Sequence, residues 1–407
     1  MPAVALSQLI GQPDVTAFLR GIVGRGRYSN AYLFHGPAGV GKGTAALAFA
    51  RAALCDRVRG AAPSAPPEAS LFSDALAAPA AGTGDDACGE CPACIKSAAL
   101  MHPDLKFLFP VTGEERTLES TVIPEILQDW RDDPFYTFQY DKAASVRLSQ
   151  TRELMRGLAY MTYEASRRVV VIRDCDRMRE DQYSALLKSV EEPAASTLWV
   201  LTTSRVSRVP ATIRSRCQRV RFAPLSEPVI REFLITRAGV PEGAAGTLAA
   251  LSAGSLARAI ATRGAKVEEQ RDKAMAMLAL VERGNPGALW SAVQAAMPFG
   301  RVNREELRRT IEYVQLYLRD VIRVRCGAGG DELVNRGGAI EAAIRRDAAS
   351  IDASEIRRRL MVLEEALRSI DGNISPDLTL FSTLARVGGS RMGEGRWPAH
   401  STARWDY

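Results

Sequence analysis

Between Ala31 and Thr44 the chain reads AYLFHGPAGVGKGT, a short apolar run that breaks into a glycine-rich turn closed by Lys42. Residues of these types at this spacing suit one task, the holding of a chain of phosphates. Gly36, Gly39 and Gly41 allow backbone angles that turn successive N–H groups toward one centre, and Lys42 adds a cation to that nest of donors. Ala31 to Phe34 predicts a buried parallel strand before the turn, and TAALAFARAAL predicts a helix after it, whose N-terminus adds its dipole. Strand, turn and helix together make a P-loop, a context that a bland glycine-rich turn lacks. One member departs from the pattern. Where a Ser or Thr hydroxyl would ligate magnesium stands Gly43, and Thr44 comes one place late.

A P-loop ATPase also needs a carboxylate pair at the end of a neighbouring strand, one to hold magnesium through water and one to orient the attacking water. The β-branched run Arg168 to Ile172 predicts that strand, and it leads into Arg173-Asp174-Cys175-Asp176. The two acidic positions fall on Arg173 and Asp174, or on Asp174 and Cys175 if the register shifts by one. Either way one carboxylate is lost, and an arginine repels the ion it should attract. Nucleotide or phosphate can still be held by the loop amides and Lys42, whereas magnesium binding is put in doubt and hydrolysis by this chain alone is expected to be weak or absent.

Cys88, Cys91 and Cys94 in CGECPAC have the spacing that lets neighbouring sulfurs face one ion, and Cys55 at the end of the P-loop helix can supply the fourth. Four thiolates with no open position read as a structural zinc site. An iron–sulfur cluster and metal-free thiols are the alternatives, the first of which needs a redox partner site that the sequence does not display. Cys175, Cys217 and Cys326 read as buried small hydrophobes, and His102 as a turn residue.

Arg205, Arg208, Arg214, Arg216 and Arg219 follow with no acidic residue between them. For most, a solvated basic face is sufficient explanation. Arg216 differs because Ser215-Arg216-Cys217 sits just before the last strand, on a loop from which a guanidinium can reach a γ-phosphate bound by a neighbouring subunit. The segment also allows contacts to DNA phosphates without sequence preference.

The elements that must position these residues alternate as an α/β fold does. Residues 5–27 predict an amphipathic helix, Leu105 to Phe109 a strand, Ile123 to Trp130 a helix, Ser149 to Tyr160 a capped helix, Arg179 to Val190 a helix stopped by Pro193, and Leu198 to Thr202 and Arg219 to Phe222 strands. This order argues for a parallel sheet with helices on both faces. Past Leu225 the strand signals vanish, leaving a small helical domain over 225–265, a larger helical one over 266–387, and a tail over 388–407 without periodicity that is expected to be disordered. Residues 56–87 are rich in Ala, Pro, Gly and Ser and read mostly as a flexible insertion, and 113–140 is a polar, aromatic stretch to which no role is assigned. With 407 residues, 46% hydrophobic content and 25% charge the chain reads as globular; its net charge of +6 permits a nucleic-acid partner without requiring one. The N-terminus lacks the form of a leader and no run has membrane-span length, so a cytoplasmic location is expected, which the seven cysteines also suit.

Taken together, NAYLFHGPAGVGKG, the four-cysteine module, HPDL at His102 to Leu105, DRM at Asp176 to Met178, ALLKSVEEP at Ala185 to Pro193 and PATIRSRC at Pro210 to Cys217 resemble the clamp-loader subunits of bacterial DNA polymerase III, and most of all the delta-prime branch of that family. The resemblance is dense from Ile10 to Phe222 and thin in the C-terminal helices, where Leu318-Arg319-Asp320 and Asn373 to Pro376 carry it. It implies an AAA+ P-loop domain over 1–224 with a zinc module at 55–104, a helical lid, and a helical collar through which five subunits form a ring. The implied partners are gamma/tau and delta subunits, and, through the complex, the sliding clamp and primed DNA. It further implies a chain that hydrolyses little ATP and presents Arg216 to a gamma/tau site, as a stator beside a motor. In the catalytic members an arginine follows Gly-Ser-Leu; here Ala257 holds that place and Arg258 comes next. A gamma/tau-type motor is the competing expectation, favoured by Lys42 and opposed by Gly43, Arg173 and Ala257. A free-standing P-loop kinase or nucleic-acid ATPase leaves the cysteine module and the helical domains unexplained.

Overall fold

A computed structural model describes residues 4–58, 60, 84–111, 122–132, 136, 144–158, 160–191, 197–263, 267–296, 304–335, 338–370 and 375–392. Five parallel strands form one sheet: β1 (Ala31–His35), β2 (Leu105–Leu108), β3 (Arg168–Ile172), β4 (Thr197–Thr203) and β5 (Gln218–Arg221), in the order β2-β3-β4-β1-β5. The three central strands read as unbroken apolar runs because helices cover both faces. Phe34 on one face meets Phe49 of the following helix and Phe222, while Leu33, Val170 and Trp199 fill the other face. β5 is an edge, and its Gln218, Arg219 and Arg221 are exposed, which discourages pairing with another chain.

The helices of this part are α1 (Pro13–Arg25), α2 (Lys42–Leu54), α3 (Pro92–Ala98), α4 (Ile123–Asp132), α5 (Leu148–Leu158), α6 (Glu180–Glu191) and α7 (Ala211–Arg214). The single helix expected over 5–27 is divided. A 3-10 turn occupies Leu6–Gln8, Gly11 takes a φ of 63° where a side chain would strain the backbone, and α1 starts only at Pro13, whose ring suits a first helical position. Both ends of the insertion at 56–87 are packed. Val58 is buried, and the Asp86 carboxylate accepts the N–H groups of Leu6 and Ser7 at 3.0 and 2.9 Å, while Asp85 pairs with Arg20. Residues 61–83, most of the stretch at 113–140 and the tail from 393 onward lie outside the described residues.

Two compact units are distinguished, one of Met1–Ile230 with Ala253–Ala261, the other of Arg231–Ser252 with Thr262–Tyr407. α8 (Glu227–Thr236) crosses the division, α9 (Glu242–Leu251) lies in the second unit, and α10 (Leu256–Ala261) lies in the first. In the second unit the 22-residue α13 (Arg304–Arg325) packs against α11 (Val267–Glu282), α14 (Gly338–Ser350) and α15 (Ala353–Ser369), with α12 (Pro286–Ala296) and α16 (Pro376–Gly388) completing the bundle. Asp320, fully buried on α13, is kept as an acceptor by the Asn335 backbone N–H at 2.8 Å and the Asn335 side-chain amide at 2.9 Å. Two expectations fail here. Cys326 is exposed, because it falls after the last turn of α13 where the chain turns away at Gly327 (φ 89°). The tail does not lose order at 388: Gly389–Met392 forms a 3-10 turn and buries Met392, so apolar packing carries order past the last helix.

Candidate functional site

The strand register brings the chemistry to one edge. His35 pairs with Thr203 across β1 and β4, and Ile172 with Leu201 across β3 and β4, so the residues after His35, Ile172 and Leu201 all emerge at the carboxyl end of the sheet. Ligands of open parallel sheets bind at this end.

The loop after β1 turns through Gly36, Gly39 and Gly41 at φ of 148, 75 and 96° and delivers Lys42 to the start of α2. Two of these glycines are required by close approach as well. A Cβ at Gly36 would lie 2.3 Å from the Phe222 carbonyl oxygen, and one at Gly39 only 2.0 Å from Ser255 Oγ. Lys42 is 5% exposed and donates through Nζ to the Gly36 carbonyl at 2.9 Å and to that of Pro37. Burial brings its pKa down to about 8; Asp174 resists that fall and Arg173 adds to it. Gly43 and Thr44 are half-buried in the first turn of α2.

Arg173 leaves β3 with its N–H donating to the Leu108 carbonyl at 2.8 Å and its Nε 3.3 Å from Asp174 Oδ2. Its guanidinium lies against the start of α2, so that a Cβ at Gly43 would be 2.6 Å from Arg173 Nη1. Asp174 adopts a left-handed conformation (φ 47°, ψ 52°) and donates its N–H to Thr202 Oγ1 at 3.0 Å. Asp176 accepts from Thr203 Oγ1 at 2.7 Å. These residues do not fit a magnesium ion. The loop position that should offer a hydroxyl has no side chain, and a permanent cation fills the space beside it.

Four contributors escaped the sequence reading. Thr202 and Thr203 hold the two aspartates, and consecutive hydroxyls ending a buried strand were their only signal. Gln12, buried, donates to the Ala223 carbonyl at 2.8 Å and tethers the segment before α1 to the chain after β5; an isolated glutamine gives no signal for this. Ser255 packs on Gly39, and the Ala257 N–H donates to the Gly39 carbonyl at 3.2 Å, so the Gly-Ser break braces the crest of the loop. Ala257 thus contributes its backbone there, and Arg258 donates its own N–H to Ser255 Oγ at 3.3 Å.

Cys55 at the C-cap of α2 and Cys88, Cys91 and Cys94 around α3 bring their four sulfurs within 4.8 Å of one another, with Cys88–Cys94 and Cys91–Cys55 separations of 3.9 Å. A tetrahedral ion with metal–sulfur bonds of about 2.3 Å calls for sulfurs about 3.8 Å apart. The N–H groups of Cys88, Cys91 and Cys94 point at sulfurs at 3.4 to 3.5 Å, which suits thiolates. The cluster could therefore hold a metal ion. His102 stands apart from it as a turn residue, its Nδ1 accepting the Asp104 N–H at 3.1 Å.

Arg216 is exposed between α7 and the edge strand β5, with the flanking Ile213 and Cys217 buried as anchors. Its Nη1 donates to the Thr212 carbonyl at 3.0 Å, which holds the guanidinium beside its own loop. Arg205, Arg208 and Arg219 are exposed as well, and Arg214 is half-buried. Among the described residues no helix is long and apolar enough to cross a membrane.

Residues 64–226 match the family model described as DNA polymerase III, delta subunit. The delta-prime subunit of Pseudomonas aeruginosa DNA polymerase III is 31% identical over 250 residues, covering 61% of this chain and 60% of that one. The delta-prime subunit of Bacillus subtilis is 23% identical over 365 residues, covering 89% and 92%. The tau subunit of Bacillus subtilis is 24% identical over 222 residues, covering 54% of this chain and 30% of its own length.

Proposed function

We propose that this relative of the DNA polymerase III delta-prime subunits is the stator of a clamp loader, a subunit that supports ATP-dependent loading of a sliding clamp onto primed DNA while its neighbours do the hydrolysis. The observation that carries this reading is the pairing of Arg173 with Gly43: a cradle for phosphate is kept while the loop hydroxyl and one of the two strand-end carboxylates that would serve its divalent ion are replaced. Residues 1–224 act as an AAA+ P-loop domain, 225–265 as its lid and 266–387 as the collar that joins gamma/tau and delta subunits. Zinc held by Cys55, Cys88, Cys91 and Cys94 is structural. It would fix α3 to the end of α2 and takes no part in reaction, since four sulfurs leave no place for substrate. Gly36, Gly39, Gly41, Lys42, Gly43 and Thr44 form the nucleotide cradle, and Arg216 is the finger that stabilises charge on a γ-phosphate held by a gamma/tau neighbour.

In a loader reconstituted with gamma/tau and delta subunits, Arg216→Ala is expected to depress turnover at the site it serves by at least about tenfold, with assembly intact by size-exclusion chromatography. Unchanged turnover sinks the finger assignment. A gamma/tau-type motor is favoured only by the retained Lys42. It predicts ATP turnover of at least about one per second by the purified chain, abolished by Lys42→Ala.

A further inference from the structure

A stator has no evident need for a phosphate cradle, yet this one is built in full. Its two departures from the usual pattern, distant in sequence, are adjacent in space: Arg173 Nη1 would stand 2.6 Å from a Cβ at position 43. A serine or threonine at 43 would drive the guanidinium off the start of α2, so the present place of Arg173 depends on the glycine. The two changes are therefore one arrangement rather than two losses. Asp174, 3.3 Å from Arg173 Nε, anchors the other side of the guanidinium, while Lys42 sits one residue before Gly43 and the first N–H groups of α2 open on the same end of the sheet. An arginine is a permanent, planar cation that matches phosphate oxygens in pairs.

We propose that the loop takes a di- or triphosphate free of any divalent ion, with the Arg173 guanidinium supplying from the chain itself the positive charge that magnesium supplies in a hydrolysing P-loop. The ligand class is a metal-free di- or triphosphate chain, carried on a nucleoside or free as inorganic pyrophosphate. Magnesium competes with the protein for the same oxygens, and a magnesium-bound phosphate chain would bring a second cation against Arg173. The inference rests on reading the loop as a retained cradle in a stator.

The test is calorimetric titration of the full chain with ATP and with inorganic pyrophosphate, in excess EDTA and in excess magnesium. Both ligands are expected to bind in EDTA and to bind about tenfold more weakly with magnesium. Arg173→Ala should weaken metal-free binding by about tenfold or more, and Gly43→Thr should do so without removing a charge. The double change Gly43→Thr with Arg173→Asp should reverse the preference, giving tighter binding with magnesium than without. Arg173→Lys, which keeps the charge, should retain part of the affinity, and ligand-free melting curves identify any variant that fails to fold. No binding in EDTA, stronger binding with magnesium in the wild type, or unchanged affinity in Arg173→Ala overturns the proposal. The Arg216→Ala assay reads the stator role without involving this loop, so either conclusion can fail alone.

Discussion

Lys42 shows what burial does to a single charge. Its ammonium is held by two loop carbonyls in an almost closed pocket, and desolvation takes its pKa from the ordinary 10.5 to about 8. Below about 8 the folded and unfolded chains both carry the proton, and the cost of the buried charge is present in full. As pH rises from there to 10.5 the folded chain releases the proton while the unfolded chain keeps it, so this residue's contribution to stability improves with pH. Urea unfolding of the wild type relative to Lys42→Met should therefore shift in favour of the wild type by roughly 1 to 3 kcal/mol across that window. Phosphate affinity should move the opposite way, declining through pH values near 8, because the ligand needs the protonated form. A flat profile in both measurements would contradict the account.

At the scale of elements, the cysteine module shows how a short segment is made to fold. α3 has seven residues, too few to be stable by itself, and its cysteine sulfurs gather with a fourth from the end of α2. Asp104, buried beyond the module, accepts the N–H groups of Tyr163, Glu164 and Ala165 at 2.8 to 2.9 Å, fixing the turn that enters β3. Burial would raise its pKa, but those three donors outweigh it and hold the carboxyl below its usual range. Atomic absorption of the purified chain should find one zinc per molecule, and stripping it with a strong chelator or making Cys94→Ser should lower the melting temperature by several degrees. A metal-free preparation with the same melting curve would remove zinc from the description.

For the whole molecule, the two units use polar groups differently. In the first, four of the buried polar side chains, Lys42, Asp176, Thr202 and Thr203, lie at the carboxyl edge of the sheet and form the floor of the candidate site. In the second they tie helices together. Arg359 is 2% exposed, lies 2.9 Å from Glu355 Oε1 on its own helix and bridges to Glu282 on α11, which also meets Arg391 after α16. Glu282 and Glu355 are part-exposed and keep Arg391 and Arg358 as partners, so Arg359→Ala is expected to cost about 1 to 3 kcal/mol through the buried hydrogen bonds it removes. Arg359→Met combined with Glu282→Leu should recover part of it, because both a charge and its partner are then gone. Denaturant unfolding of the pair reads the coupling, and purely additive losses would show that the network is not cooperative.

What the sequence determined by itself was whatever depends on local spacing. The β-branched run at Arg168 to Ile172 is a strand with the same ends, the glycines and Lys42 form the loop, and the four cysteines converge, because periodicity and short ligand spacing act within a few residues. The break before Pro13, the exposed Cys326 and the ordered turn after Gly388 were not legible, since each is decided by what packs against it. The same holds for the site. Gly43 and Arg173 could be read separately as two missing ligands of magnesium, but that the guanidinium occupies the space a side chain at 43 would need is a fact about two strands and a helix meeting at one edge. Contact between residues 130 positions apart is set by sheet order and register, and only the folded chain brings them together.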